Sequence, residues 1–220
     1  MDFIPAKESP VFIKVFRFYT KLLFKWRFKK IWLKQEYEPC SECKTVYYLN
    51  HHSWWDGLIP LMLNEYRFRQ QARAIMEDKQ MKTYSLFQKI GAFSINRDDP
   101  RSAITSLRYA VQSFERDNAS LFIYPEGTIT PAGNSMNFEA GLAWLHDKLN
   151  EVDFVPVGIY MHTIRHSKPE LHLHVGRPAR INKSLSKEEK TAHFENVLDQ
   201  MLDELRQTAG FDDSEFERFL

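Results

Sequence analysis

The chain has 220 residues, of which 43% are apolar and 27% are charged, a composition typical of a folded globular protein rather than a disordered or collagenous one. This length fits one domain of ordinary size, or one domain with an appendage. The two cysteines exclude a disulfide framework. The net charge of +1 hides an asymmetry, because residues 1–34 carry nine bases against two acids and residues 186–220 carry ten acids against four bases.

The beginning of the chain is basic, aromatic and amphipathic. Between Pro10 and Lys34 there are eight bases, eight aromatic residues and no acid. Several bases recur at helical spacing along one stripe, and the apolar side chains fall largely on the opposite side. Because a charge interrupts the apolar residues every three or four positions, the segment is predicted to lie on a membrane rather than to cross it. Its bases would meet anionic headgroups.

Two further points bear on the interpretation of this segment. A surface helix packed on the core would show a similar pattern. Nucleic acid is not expected as a partner, because the rest of the chain is not basic and carries no recognition signature. No uninterrupted apolar core of a secretory signal occurs near the start, so we expect a peripheral or monotopic protein on the cytoplasmic face of a membrane.

Predicted strands and helices alternate through the rest of the chain, after a short linker around residues 36–44. The predicted strands are Thr45–Asn50, Ala72–Met76, Gly91–Asn96, Ser120–Tyr124, Phe154–Met161 and Glu170–Val175. The predicted helices are Leu58–Tyr66, Asp78–Lys89, Ser102–Asp117, Phe138–Leu149 and Ser186–Thr208, the last of them acidic. This alternation predicts an α/β fold with a single, mostly parallel sheet covered by helices on both faces. We expect membrane-interface helices in residues 1–36 and the α/β domain in residues 45–220.

His51 and Asp56 lie at a predicted junction between a strand and a helix. Histidine can accept a proton from a hydroxyl group near neutral pH if a carboxylate fixes its tautomer and supports the imidazolium. If the helix starts near Trp54, Asp56 falls in its first turn and can reach back to His51. The pair would then form the base and the orienting group of a catalytic triad.

Two other predicted strands end in polar residues. Tyr124, Pro125, Glu126, Gly127 and Thr128 follow an apolar strand, and Gly127 permits a tight turn that brings bare backbone close to a ligand. Glu126 is predicted to project into that space. Arg97 ends the strand that begins at Gly91, and its guanidinium could bind a phosphate with two hydrogen bonds.

Taken together, these residues resemble the glycerolipid acyltransferases, the lysophosphatidic-acid acyltransferase group. The resemblance covers about residues 45–180 and depends on four blocks in order, which are His51–Asp56, Gly91–Arg97, Tyr124–Thr128 and Val155–Val157. It implies acyl transfer from a thioester of coenzyme A or acyl carrier protein to the hydroxyl group of a lipid acceptor. No cofactor and no covalent acyl-enzyme are implied.

The resemblance also implies roles for individual residues. His51 would be the general base and Asp56 would orient it, while Glu126, Gly127 and Thr128 would line the acceptor site. Arg97 would bind the phosphate or another anionic group of the acceptor. Backbone N–H groups around Gly127 are candidates for binding the oxyanion. The N-terminal segment is similar to the two-helix membrane platform of this family.

One residue departs from the family pattern. The third block usually continues with Arg, and Ile129 stands at that position. Loss of a guanidinium should weaken binding of a phosphate considerably, since hydrogen bonds to charged groups contribute roughly 1.5–3 kcal/mol. The resemblance implies a lysophospholipid or lysophosphatidic acid as the acceptor. Ile129 shifts this prediction away from lysophosphatidic acid, towards a lysophospholipid with a shielded phosphate or a glycosylated lipid.

The remaining cysteine and histidine residues indicate no metal site. Cys40 and Cys43 form one C-x-x-C pair, and no second cysteine pair completes a zinc site. His172 and His174 alternate with apolar residues on the last predicted strand, which predicts the polar face of an edge strand.

Two rival functions stay open. A thioesterase or lipid hydrolase would use Ser53 as its nucleophile, although the G-x-S-x-G elbow is absent. A lipid-binding protein without turnover would keep the same scaffold, and the substitution at Ile129 is compatible with it.

Overall fold

The computed structural model describes residues 3–220, and within that range one sheet contains eight strands. The strands are β1 (Lys30–Gln35), β2 (Lys44–Leu49), β3 (Gln71–Glu77), β4 (Ala92–Ile95), β5 (Ala119–Ile123), β6 (Val152–His162), β7 (Glu170–Val175) and β8 (Glu217–Arg218). Their order across the sheet is β4-β3-β5-β2-β6-β7-β1-β8. Only the β6–β7 and β1–β8 neighbours of this described sheet are antiparallel. The predicted mostly parallel sheet is therefore confirmed.

Helices cover both faces of the sheet. They are α1 (Pro10–Arg27), α2 (Ile59–Leu63), α3 (Asp78–Thr83), α4 (Pro100–Ser113), α5 (Gly141–Lys148) and α6 (Lys187–Thr208). A 3-10 turn at Trp54–Leu58 leads into α2, a π-turn at Asn64–Phe68 follows it, and a second 3-10 turn spans Ser85–Ile90. One core cluster joins α1 and α2 to the sheet, and the other joins α4, α5 and α6 to the opposite face.

Strand β2 shows how both cores arise from one sequence. Tyr47 and Leu49 belong to the first core cluster, whereas Val46 and Tyr48 belong to the second, and all four are buried. Successive side chains of a strand point to opposite faces, so a central strand covered on both sides is apolar at every position. The site described below begins where this strand ends.

The prediction of helices throughout residues 1–36 is wrong for its last part. A single helix, α1, ends at Arg27, and Lys30–Gln35 forms β1 within the sheet, while residues 1 and 2 lie outside the described range. Ile31 and Leu33 are buried in alternation with more exposed neighbours, a period-two pattern that the basic composition obscured. The predicted boundary after residue 36 therefore separates β1 from the other strands of the same sheet.

The residues before α1 run along the free side of β4. The Ile4 N–H donates to Ser94 Oγ at 2.8 Å, and the Ser94 N–H donates to the Ile4 carbonyl at 2.9 Å. Ser9 then caps α1, since its side chain accepts from the Phe12 N–H. This arm covers an edge strand that would otherwise expose unpaired backbone groups.

Two further expectations about faces are corrected. β7 lies between β6 and β1, so His172 and His174 are buried in the sheet rather than on an exposed edge. On α4, the apolar spacing of Ile104, Leu107, Val111 and Phe114 predicts one buried side, but Ile104 is exposed. The buried side carries the small residues Ser106 and Ala110, which let the helix approach the sheet closely.

Candidate active site

A cavity of about 580 Å³ lies beyond the carboxyl ends of β2, β4 and β5. These strands run parallel, so the loops that follow them meet at one edge of the sheet. His51, Arg97, Gly127 and Thr128 all line this cavity. Most of the remaining lining is apolar, including Ala74, Met76, Phe87, Ile95, Leu107 and Leu142. The structure thus brings together residues from three separate sequence motifs.

His51 and Asp56 are in contact as the sequence predicts. His51 Nδ1 lies 3.2 Å from Asp56 Oδ2, the aspartate is fully buried, and the histidine side chain is 20% exposed. A hydrogen bond from Nδ1–H to the carboxylate leaves Nε2 as the nitrogen that can accept a proton. The arrangement has the geometry of a general base and its orienting carboxylate.

The turn that contains Asp56 holds its carboxylate in place. Oδ2 accepts the N–H groups of His52 at 2.7 Å and Ser53 at 2.8 Å, and Oδ1 accepts the Ser53 hydroxyl at 2.8 Å. Ser53 and Asp56 thereby cap the 3-10 turn at Trp54–Leu58. The short helical turn brings position 56 back towards position 51, which is why this spacing produces the contact.

Asn50 fixes the other side of the His51 loop. Its side chain donates to the Ile159 carbonyl at 2.9 Å and accepts from the Ile159 N–H at 2.8 Å, which ties the end of β2 to β6. The sequence interpretation treated Asn50 only as the end of a strand. A polar residue at the end of an apolar strand was the available signal, because a buried amide must find partners.

Tyr124 is a second residue whose contribution the sequence interpretation underestimated. Its ring lies 4.5 Å from the His51 ring between centroids, and its hydroxyl donates to the Asp56 carbonyl at 2.6 Å. Burial, together with the nearby Asp56, raises the pKa of Tyr124 well above its usual value. The phenol therefore stays protonated and supports both members of the pair.

Glu126 occupies a different place from the one predicted. It is buried and does not line the cavity. Its Oε2 accepts the His51 N–H at 3.3 Å, and its Oε1 accepts the Thr130 hydroxyl at 2.7 Å. Thr130 in turn donates its N–H to the His51 carbonyl at 2.8 Å. Glu126 therefore does not project into the cavity as predicted, because its carboxylate turns inwards to hold the His51 peptide.

Gly127 makes room for Arg97 at the cavity wall. It adopts a φ of +68°, and a Cβ placed there would collide with the Arg97 guanidinium. Its own N–H donates to the Tyr124 carbonyl at 2.9 Å, so that group is used within the turn rather than left for an oxyanion. Ile129 also lines the cavity and is 54% exposed. The cavity wall therefore presents the branched apolar side chain of Ile129 where the family pattern has a cation.

Residues 3–220 contain no group of three His, Cys, Asp or Glu side chains placed to hold a metal ion. Cys40 and Cys43 form a disulfide, so their sulfur atoms are not thiolate ligands. No helix within residues 3–220 is both long enough and apolar enough to cross a bilayer.

Comparison with known proteins identifies the family. The Acyltransferase family model matches residues 34–160. A 1-acyl-sn-glycerol-3-phosphate acyltransferase from Cocos nucifera is 27% identical over 127 residues, which make up 55% of this chain but only 40% of that protein. This chain therefore matches less than half the length of that relative.

A solved structure supports the same grouping at the level of the fold. The 1-acyl-sn-glycerophosphate (LPA) acyltransferase PlsC from Thermotoga maritima has a TM-score of 0.63 and 19% sequence identity, with coverage of 89% of this chain and 81% of that chain. The family match spans β2 to β5 and the loops that carry His51, Arg97 and Thr128. The resemblance found in the sequence is thus confirmed, and the chain belongs to the Acyltransferase family.

Proposed function

We propose that this protein transfers an acyl group from a thioester of coenzyme A or acyl carrier protein to the hydroxyl group of a lysolipid at a membrane surface. The proposal depends on one observation: the His51 side chain lines a largely apolar cavity and contacts the buried carboxylate of Asp56. Membership of the Acyltransferase family supports the same reaction class. The relatives named above act on acylglycerol phosphates, which supports a lysolipid acceptor.

The proposed reaction follows from the two histidine nitrogens. Nε2 of His51 takes the proton of the acceptor hydroxyl while its oxygen attacks the thioester carbonyl. The C–S bond then breaks, and the leaving thiolate takes up a proton from the imidazolium. Asp56 supports the imidazolium through Nδ1–H and prevents the ring from turning. The reaction needs no covalent acyl-enzyme.

The lining of the cavity suits both parts of such substrates. Its lining includes apolar side chains such as Met76, Phe87 and Leu107, which would exclude water around acyl chains. Arg97 and Thr128 supply the polar groups near His51. In this proposal, they bind the anionic part of the acceptor.

Helix α1 supports a membrane-facing orientation. Its outer side exposes Val11, Val15, Phe18, Tyr19, Leu22 and Trp26, a contiguous apolar surface larger than scattered exposure would produce. Trp54, which lines the cavity, makes an edge-to-face contact with Trp55. Trp55 in turn packs against Phe24 of α1. The buried side of α1 is therefore linked to the cavity wall through aromatic contacts, and we propose that the protein binds the cytoplasmic face of a membrane as a peripheral protein.

Point variants test the membrane contact without damaging the fold. Deleting residues 1–34 would remove β1 from the sheet, so we instead replace the exposed Val15 and Trp26 with Ser. The double variant should lose binding to vesicles that contain anionic lipid, whereas an Ile164→Ser control, also at an exposed apolar residue, should keep it. Unchanged vesicle binding by the double variant would overturn the assignment of α1.

The reaction itself is tested by thiol release from acyl-coenzyme A. Transfer predicts free thiol only when a lysolipid is present, with an equal amount of diacyl lipid by mass spectrometry. Thiol release at the same rate without acceptor would favour the Ser53 hydrolase, and no release under either condition would favour a lipid-binding protein. The structure supports transfer over hydrolysis, because the Ser53 hydroxyl donates to Asp56 and Ser53 does not line the cavity.

A further inference from the structure

The charged groups of the cavity wall do not suit a dianionic headgroup. Apart from His51, the charged side chains that line the cavity are one cation, Arg97, and two carboxylates, Glu77 and Glu139. Glu77 lies 4.0 Å from Lys79 Nζ, which binds Asp98 more closely at 3.0 Å. Glu139 is the carboxylate that lies beside Arg97.

Arg97 and Glu139 form a loose pair at the mouth. Nη1 of Arg97 lies 4.0 Å from Oε1 of Glu139, which is too long for a hydrogen bond. Within residues 3–220, Arg97 is the ion-pair partner of Glu139, and the Glu139 side chain is 67% exposed. Nε of Arg97 is buried and has no hydrogen-bond partner within residues 3–220. Both groups therefore keep hydrogen-bonding capacity for a ligand.

We propose that the acceptor is a zwitterionic lysolipid of the phosphoethanolamine type, whose phosphate binds Arg97 and whose primary ammonium binds Glu139. This inference rests on the proposed acyl transfer and names its acceptor class. A phosphate and an ammonium joined by two carbon atoms have a separation comparable to that of the guanidinium and carboxylate at this mouth. Each charge of the ligand then meets its opposite, with charge-assisted hydrogen bonds at both ends.

Other headgroups match this wall less well. A phosphomonoester carries a charge of about −1.5 to −2 near neutral pH. When such a phosphate is bound to Arg97, it would be repelled by the Glu139 carboxylate, which lies 4.0 Å from the Arg97 guanidinium. A phosphoglycerol headgroup has no cation for Glu139. A choline headgroup has the positive charge but no N–H to donate to the carboxylate.

An acceptor panel tests the proposal with the full-length protein. Lysophosphatidyl-ethanolamine, -choline and -glycerol and lysophosphatidic acid, all with one acyl chain, are presented in the same mixed micelles with acyl-coenzyme A. The ethanolamine lipid should show kcat/KM about tenfold above the glycerol lipid and lysophosphatidic acid, the factor expected from one hydrogen bond to a charged group. Equal or better use of lysophosphatidic acid would overturn the headgroup assignment while leaving acyl transfer established.

A variant of Glu139 separates recognition from folding. Glu139→Gln should lower kcat/KM for the ethanolamine lipid about tenfold and leave lysophosphatidic acid unchanged or improved, because one carboxylate charge is removed. Glu204→Gln, on the exposed side of α6, is the matched control and should change neither acceptor. An equal loss for every acceptor in Glu139→Gln would show a structural role and overturn the proposal. If no acceptor is acylated by the wild-type protein, the proposed function itself fails.

Discussion

The described structure contains two contacts between a histidine and an aspartate, and their surroundings differ. His51 Nδ1 lies 3.2 Å from Asp56 and its ring borders the cavity. His172 Nε2 lies closer to Asp213, at 2.8 Å, but His172 is fully buried in β7 and does not line the cavity beside His51. Asp213 also pairs with Arg165 at 2.6 Å.

This difference shows that a short distance between histidine and carboxylate does not by itself define a catalytic pair. A general base must reach the proton that it abstracts, so one ring nitrogen has to face space that a substrate can occupy. His51 meets that condition. His172 instead joins β7 to the segment that follows α6, where it stabilises the C-terminal end of the chain.

The largest effect is expected from Asp56→Asn. Two backbone N–H groups donate to Oδ2, so the amide oxygen takes that position. The variant then loses the negative charge that supports the imidazolium, which should lower kcat by about 10²- to 10⁴-fold. Acyl transfer measured at saturating acceptor checks this, and Asp199→Asn on α6 serves as a matched control. Retention of near wild-type kcat would show that Asp56 only caps the turn.

A smaller effect is expected from Glu126, which acts through the backbone of His51. Glu126→Ala removes the acceptor of the His51 N–H and of the Thr130 hydroxyl, and a displaced base should lower kcat by about 10²-fold. Glu126→Gln should restore most of the rate, because its carbonyl can accept from His51 while its amide donates to Thr130 Oγ1.

The split between kcat and KM distinguishes this positioning role from substrate binding. If both Glu126 variants raised KM for the acceptor and left kcat intact, Glu126 would contact substrate, contrary to the geometry.

Ser53→Ala should have a modest effect. The variant loses one hydrogen bond to the Asp56 carboxylate, a stabilisation of about 1.5–3 kcal/mol. It should keep most of its kcat, because the contact between Asp56 and His51 remains. Steady-state transfer assays and the urea midpoint measure the two quantities. An inactive Ser53→Ala protein, with an acyl adduct trapped on the wild-type serine, would contradict the proposed transfer mechanism.

His172 and the residues that surround it, His162, Arg165 and Asp213, should affect stability and its pH dependence rather than activity. Burial lowers the pKa values of His172 and His162, so the unfolded chain binds more protons than the folded chain once the pH falls below about 6.5. Stability should therefore fall with pH from there down to the lowered folded-state pKa values. Burial alone would raise the pKa of Asp213, but hydrogen bonds from His172 and Arg165 hold it below its usual value.

Urea unfolding at about pH 7.5 and about pH 5.5 measures this slope. His172→Gln should show a smaller loss of stability on acidification than the wild type, with acyl transfer at neutral pH preserved. His193→Gln, a half-buried position on α6, should keep the wild-type slope. An unchanged slope in His172→Gln would remove this histidine from the account of acid sensitivity.

The fold was largely predictable because its signals are local. The long apolar run of β2 and the alternation of strands with helices correctly predicted a parallel sheet with two covered faces. β1 was missed because Ile31 and Leu33 alternate within a stretch whose bases and aromatics favoured a helix. The burial of His172 was missed because its partner Asp213 lies 41 positions away, and sequence spacing carries no information about that contact.

In the site, likewise, a contact between residues close in the sequence was predictable, whereas contacts between separate loops were not. His51 and Asp56 are five positions apart and meet through one helical turn, so spacing sufficed. The inward orientation of Glu126 depends on Thr130 and the His51 backbone, which only the folded loops bring together. The position of Glu139 beside Arg97 likewise requires two loops to meet at the mouth.

Transfer activity in His51→Ala, compared with His172→Gln, tests the central claim most directly. Formation of diacyl lipid from acyl-coenzyme A and lysolipid is followed by mass spectrometry, with thermal unfolding and vesicle binding recorded for both variants. We predict that His51→Ala loses about 10²- to 10⁴-fold in kcat while it stays folded and bound to vesicles, and that His172→Gln retains turnover. Wild-type turnover in folded His51→Ala would contradict the assignment of His51 as the base.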